Sequence, residues 1–484
     1  MLACDLGSTS FRAALVDPDG RIVGLASRPT EIGSEFDPEI WWTLLCDAAE
    51  ELVRDRDLER VAAVAISGLT RTQVFLDKDL QPLWPAITWA DARAESVMPE
   101  VRRLLPAAHP EAAQLTAFHP LARLAWLAKH EPNIVGAVAA VVEPKDYLNL
   151  RLTGECRIDP IGSARLIAAT AGADGEAALK ALGLSASIVP PAIDPGATVG
   201  RVRNGLAGAR ARLAGRPVIQ LGNDTWTSVV GLGALRDGYA YNLSGTTEVL
   251  GVVSRTKAIT EGLMTVDWGG GLTQIGGPSQ NGADTLVWLA DLLGQHKDGP
   301  ALETLLGGER EPQPLLFLPY LQGERVPYWD PHLRGAFVGL NRRHGATDCG
   351  YAVLEGIAFL NRLVLERAEA AVGRRVTEIR FGGGGAANAV WCQIKADICG
   401  RTITVAEDAE PGILGAAIIA FTALGQFPDF AIGQDKLVRI RRRFEPRAAL
   451  SRRYDRLYSL YGEAEAALAP ISRKLAQFPH DELS

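Results

Sequence analysis

A strand, a corner of small hydroxyl-bearing residues and a second strand open this chain, and the same pattern returns near residue 240. Leu2, Cys4 and Leu6 alternate, Gly7-Ser8-Thr9-Ser10 turns the chain, and Phe11 to Val16 runs back as a strand. Asp17-Pro18-Asp19-Gly20 turns it again into Arg21 to Ser27. Further on, Tyr239 to Leu243 leads into Ser244-Gly245-Thr246-Thr247, and Glu248 to Val253 follows as the returning strand. Two such openings predict an internal duplication: an α/β fold of two related domains facing each other, with a boundary near Arg236-Asp237-Gly238. The expected spans are 1–237, 238–435 and a C-terminal helical tail, 436–484.

The length of 484 residues suits two large domains or three modest ones. Apolar residues at 47% and charged ones at 22% provide for a sizeable core. The net charge of −7, with no basic run, argues against a nucleic-acid partner, which needs clustered cations to neutralise phosphates. The six cysteines are scattered without a CxxC pair, so neither a zinc site nor a disulfide framework is expected, and Cys392 and Cys399 read as core thiols on one helix. The first residues run straight into a strand, which leaves no room for a signal peptide. The most apolar stretch, Gly412 to Gly425, is too short to cross a bilayer and reads as a buried helix. A cytoplasmic protein with no membrane partner is expected.

Between the two openings, Asp37-Pro38-Glu39 supplies a cap, a proline at the first helical position and an acidic first turn, which predicts a helix through about Val53. Trp41 and Trp42 are expected to pack it onto the sheet. Val61 to Ser67 reads as a buried strand, and Thr72 to Trp89 as a hairpin around Asp77-Lys78-Asp79. A helix is expected over Tyr454 to Ala476.

Four segments have the composition of a phosphate-handling site. In the first corner, Gly7, Ser8, Thr9 and Ser10 offer backbone N–H groups and short hydroxyls, Arg12 adds a cation, and Asp5 could hold a magnesium ion through water. A plain β-turn is the alternative reading. The second corner, with Gly245, Thr246 and Thr247, would hold the far side of the same phosphates. Third, Gly382, Gly383, Gly384 and Gly385 lie between the strand Glu378 to Phe381 and a helix starting near Asn388, where a flat ligand can approach the backbone. Fourth, Asp224 follows the strand Pro217 to Leu221 within Gly222-Asn223-Asp224-Thr225. It could accept the proton of an attacking hydroxyl, or merely cap the next helix.

Taken together, these residues resemble the FGGY carbohydrate kinases, members of the actin and hexokinase (ribonuclease H-like) fold group. The resemblance runs from Met1 to about residue 430. Phe118-His119-Pro120-Leu121-Ala122-Arg123-Leu124-Ala125-Trp126 is similar to the N-terminal signature, with Arg123 where the family has lysine. Gly335-Ala336-Phe337-Val338-Gly339-Leu340, continued through Asp348 to Glu355, resembles the second, with Cys349 in place of an aliphatic residue. Pro319 to Arg325 and Trp89-Ala90-Asp91-Ala92-Arg93 are also similar to family segments.

The resemblance implies two actin-like domains facing each other across an ATP cleft, and transfer of phosphate from ATP, with Mg²⁺, to a small sugar or polyol. It casts Asp224 as the catalytic base, Asp5 and Asp224 at the metal, and Gly382 to Gly385 with Asn388 at the adenosine. Thr70, Arg71, Asp91, Arg93, Asp224 and Thr225 would lie at the sugar, with Trp89 and Arg93 equally readable as structural supports. It also allows a homodimer. The chain departs from the family at the sugar segment. Where xylulokinase-like members carry Met-His-Gly and glycerol kinases Arg-Glu-Thr, this chain has Thr70-Arg71-Thr72, and Thr225 replaces the Asn or Gln beside the base. A ketopentose such as xylulose is the nearest substrate by overall likeness. Gluconate, glycerol, erythritol, another polyol or a signalling sugar are the rivals within the class. Arg71 could read a carboxylate, as on an aldonate, or form a salt bridge with a neighbouring acid. Outside the class, the rival is a non-catalytic nucleotide-binding protein on the actin-like fold.

Overall fold

The computed structural model describes residues 1–53, 60–295 and 305–478, which divide into two compact units. The first comprises Met1–Gly231 and Glu410–Leu437, the second Leu232–Ala409 and Val438–Ser484. The sequence reading placed 238–435 in one domain; here residues 410–437 belong with the first unit. The helix Pro411–Ala423 accounts for this. Residues 412–421 are all buried, and they pack on strands and a helix of the first unit, contacts that chain order does not reveal.

The first unit is built on a six-stranded sheet. Its strands are β1 (Leu2–Leu6), β2 (Ser10–Val16), β3 (Ile22–Pro29), β4 (Val64–Gly68), β5 (Thr198–Arg201) and β6 (Pro217–Ile219), in the order β3-β2-β1-β4-β6-β5. β1 pairs antiparallel with β2 and parallel with β4, and β6 pairs parallel with β4 and antiparallel with β5. Central strands are buried on both faces, so β4 (Val-Ala-Ile-Ser-Gly) is enclosed throughout. Helix α1 (Pro38–Val53) packs on this sheet through Trp41, which is fully buried, while Trp42 lies partly exposed under the guanidinium groups of Arg151 and Arg210.

The second unit repeats the scheme. Its strands are β7 (Tyr239–Ser244), β8 (Glu248–Ser254), β9 (Met264–Asp267), β10 (Thr273–Ser279), β11 (Glu378–Gly382), β12 (Thr402–Ala406) and β13 (Ile440–Phe444), in the order β9-β10-β8-β7-β11-β12-β13. β7 pairs antiparallel with β8 and parallel with β11, β12 pairs parallel with β11, and β13 closes the edge antiparallel to β12. Apart from the extra edge strand β9, each strand has a counterpart of the same sense in the first sheet. The expected duplication is therefore a property of topology, with each unit around its own core.

Two local expectations change. The stretch 72–89 is not a simple hairpin: Val74–Leu76 pairs with Ala140–Val142, Ala86–Ile87 pairs with Glu35–Phe36, and the two arms meet each other only in isolated bridges, Gln73 to Ile87 and Leu76 to Pro82. The last helix begins earlier than expected, at Ala448, and runs to Ala476. All six cysteines are free, and burial pushes Cys392 and Cys399 up to about 11, as suits core thiols. Among the described residues, no helix is long and apolar enough to cross a membrane.

Candidate active site

In the first unit the site is assembled at the ends of adjacent strands. Asp5, next to last in β1, stands opposite Arg12 of β2 and beside Ser67 of β4. The corner that follows is closed by Gly7, whose N–H donates to the Ser10 carbonyl at 2.9 Å, and is braced by Thr30, whose N–H donates to the Thr9 carbonyl at 3.0 Å. Thr9 is exposed, and Ser8 and Ser10 are half-buried. Arg12 pairs with Glu410 at 2.8 Å.

Asp224 opens a helix, α2 (Asp224–Gly231), directly after β6. Asn223 performs the capping that sequence alone could have given to the acid: its Oδ1 accepts the Trp226 N–H at 2.8 Å. Asp224 Oδ1 accepts two local bonds from Thr225, from its N–H at 2.7 Å and from its hydroxyl at 3.4 Å. Burial raises the Asp224 carboxyl to about 6, against the opposing bonds from Thr225 and the charge of Arg71. Burial also raises Asp5 to about 6, and the nearby Asp224 charge adds to the effect. The fold thus brings together the two acids expected at the metal. Oδ1 of Asp5 is buried without a hydrogen-bond partner among the described residues. Beside it Gly412 packs so closely that a Cβ there would lie 2.6 Å from Oδ2 of Asp5 and displace the carboxylate. This carboxylate donor set, with its unpartnered Oδ1, fits a hard, oxygen-seeking cation such as Mg²⁺.

Thr70 and Arg71 follow β4. Arg71 adopts a left-handed backbone, φ +54°. Burial lowers its pKa and Arg165 adds to the lowering, while Asp224 and Glu143 oppose it, which places its charge in the field of the proposed base. Asp91 and Arg93 are held differently. Both oxygens of Asp91 are engaged by Arg93, through its N–H at 2.7 Å and its Nε at 2.8 Å. The Arg93 guanidinium also bonds Glu35 at 2.5 Å and lies 4.8 Å above the Trp126 ring. These bonds match the structural-support reading of Arg93. Trp89 is 37% exposed.

Sequence reasoning missed a buried ionic cluster next to this site. Lys145 lies 2.6 Å from both Asp146 Oδ1 and Asp159 Oδ2, with Glu143 adjoining. Its ammonium already supplies the positive charge that these acids would otherwise seek from a metal. Only three-dimensional pairing reveals the cluster, since Asp159 is remote in sequence.

In the second unit, the Ser244–Thr247 corner joins β7 to β8. It is closed by the Gly245 N–H to the Thr247 carbonyl at 2.9 Å and tied onward by the Ala283 N–H to the Gly245 carbonyl at 3.1 Å. Gly245 and Thr246 are exposed, and Ser244 Oγ is buried with no hydrogen-bond partner among the described residues. The glycine run packs directly on this corner. Gly383 has φ +82°, and a Cβ there would collide with the Ser244 carbonyl; at Gly385 it would lie 2.6 Å from Ser244 Oγ. Gly382 ends β11, and Gly384 faces open space. Asn388 caps a further helix, α3 (Ala389–Cys399), its side chain accepting the Trp391 N–H at 3.0 Å. Beside the first turn of α3 a cavity of about 550 Å³ is lined by Tyr351, Val390, Gln393, Arg447 and Tyr454, among others.

Two models of the FGGY family of carbohydrate kinases match the chain, the N-terminal domain over residues 1–231 and the C-terminal domain over 240–424. A xylulose kinase of Escherichia coli (strain K12) is 29% identical over 436 residues, 87% of this chain and 89% of that protein. A gluconokinase of Bacillus subtilis (strain 168) is 25% identical over 90% of each chain. The crystal structure of a xylulose kinase from Rhodospirillum rubrum superposes with a TM-score of 0.82 at 28% identity, covering 97% of this chain and 99% of that one. With both domain models matched in order over most of its length, the chain belongs to the FGGY family of carbohydrate kinases, which are ATP-dependent sugar kinases.

Proposed function

We propose that this kinase transfers the terminal phosphoryl group of ATP to a hydroxyl of a ketopentose such as xylulose, in the cytoplasm, with Asp224 as the base. The observation that carries the reading is the half-buried pair Asp5 and Asp224, whose carboxyls partial desolvation raises to about 6. A carboxylate so raised is a better proton acceptor near neutral pH than an exposed one. Asp224 would take the proton of the attacking hydroxyl, and the Thr225 N–H would keep its carboxylate oriented. Asp5 and Asp224 would hold Mg²⁺, which when bound neutralises phosphate charge. Gly7 to Ser10 with Arg12, and Ser244 to Thr247, would bind phosphates through backbone N–H groups and hydroxyls. Gly382 to Gly385 with Asn388 would receive the adenosine, and the adjoining cavity has the size of a nucleoside site.

A second reading has one specific observation in its favour: Arg71, whose charge lies close enough to Asp224 to perturb it, would suit an aldonate. ADP release measured against a panel of pentuloses, hexuloses, polyols and aldonates, with a no-sugar blank, separates the two. Xylulose as the strongest responder supports the first reading and gluconate the second. No response above the blank from any member would overturn both.

A further inference from the structure

Arg71 is one of three non-glycine residues with positive φ among the described residues, and both of its backbone polar groups are held by buried side chains. Its N–H donates to Glu143 Oε1 at 3.1 Å, and its carbonyl accepts from Arg123 Nη1 at 2.5 Å. Arg123 is fully buried and also donates to the Thr88 carbonyl at 2.5 Å and to Gln73 Oε1. Glu143 is 4% exposed, and its Oε2 has no hydrogen-bond partner among the described residues. A left-handed conformation is unfavourable for a residue with a side chain, and burying polar groups to hold it costs more. Strain held by its surroundings is common where a side chain must be aimed.

We propose that Glu143 and Arg123 are positioning residues that clamp Arg71 in its left-handed conformation and so determine which sugar the Asp224 site accepts. The inference rests on reading Asp224 and Arg71 as the sugar site. It makes Glu143, outside every motif singled out in the sequence, a determinant of specificity acting through one backbone N–H. A glutamine at 143 keeps an acceptor oxygen, and a leucine does not. A glycine at 71 adopts the same backbone without help, so in that background the clamp has nothing left to hold.

The test uses the full-length enzyme and steady-state kinetics on xylulose, or on gluconate if that is the panel's better substrate. Glu143→Leu should raise the sugar KM about tenfold or more, leave the ATP KM within about twofold, and be largely rescued in Glu143→Gln. In an Arg71→Gly background, Glu143→Leu should change the sugar KM by less than about twofold further, because the two substitutions act through one element. Should Glu143→Leu fail to fold, Arg123→Lys takes its place in the same cycle, since one ammonium cannot reproduce the planar fork. Equal effects in the wild-type and Arg71→Gly backgrounds, or an unchanged sugar KM, would overturn the clamp. Arg71→Ala distinguishes the two levels: an unaltered sugar KM there removes the sugar-site reading itself, whereas a raised one with a silent clamp variant removes only the clamp.

Discussion

The ammonium of Lys395 lies 2.9 Å from Glu248 Oε1 and 3.0 Å from Oε2, with both side chains buried. Asn242 Oδ1 at 2.8 Å and Asn361 Oδ1 also accept from it, and the Phe381 and Trp391 rings flank it at 4.9 and 4.6 Å. Asn242 and Glu248 bracket the Ser244–Thr247 corner, and Lys395 sits on the helix that follows the glycine run. One buried cation therefore ties together the two segments proposed to bind the nucleotide. Lys395→Met strands Glu248 without its partner and should cost about 3–5 kcal/mol, whereas Lys395→Met/Glu248→Leu should cost far less. Urea denaturation of both variants checks this, and equal losses would contradict it.

The glycine run should divide by position. Gly383→Ala puts a Cβ into the Ser244 carbonyl at a backbone angle that L-residues avoid, so it should lower stability and raise the ATP KM about tenfold or more. Gly384→Ala meets nothing within 4 Å and should leave the urea midpoint within about 0.5 kcal/mol of wild type. If adenosine seats there, calorimetry will show weaker ATP binding in the Gly384 variant despite its intact fold. Unchanged binding would move the nucleotide elsewhere.

Asp224→Asn should lower kcat by about two to four orders of magnitude while calorimetry still detects ATP binding. For the wild-type enzyme, the acid limb of kcat/KM for the sugar should fall at or below about pH 6, where the Asp224 carboxylate takes up its proton. Near-normal turnover in a correctly folded variant would remove Asp224 from the role of base.

His119 predicts an acid-sensitive first unit. Its Nδ1 accepts the Leu121 N–H at 3.1 Å, capping the helix Pro120–His130, and its Nε2 lies 3.2 Å from Glu111. Burial lowers the His119 pKa against the opposing effect of Glu111. Burial would raise Glu111, but its bonds with His119 and Arg165 outweigh that and hold it low. A histidine depressed in the fold leaves the unfolded chain binding more protons. Its contribution is full above about pH 6.5 and is lost as pH falls through the folded value; the depressed glutamate adds loss in the same direction at lower pH. The melting-temperature difference between wild type and His119→Ala should accordingly shrink from pH 7.5 to pH 5. A constant difference would mean that His119 acts by packing alone.

The sequence by itself determined the elements with local causes. Alternation and turn residues predict β1 to β3 and the corner at Gly7–Ser10, and the same pattern near residue 240 carries the duplication. Glycines between a strand and an Asn cap mark the 382–388 segment, and the −7 charge without a basic run disfavours nucleic acid. What only the tertiary structure decided involves residues far apart in the chain. It places the helix Pro411–Ala423 with the first unit, gives Lys145 to Asp159, Lys395 to Glu248 and Arg93 to Glu35, and turns the expected 72–89 hairpin into a pairing with 140–142. It also determines that Arg71 is left-handed and held at both backbone groups. Turn and cap chemistry is written within about four residues, so periodicity reports it. A buried charge is neutralised by whichever partner the fold brings near, and no local pattern records that choice.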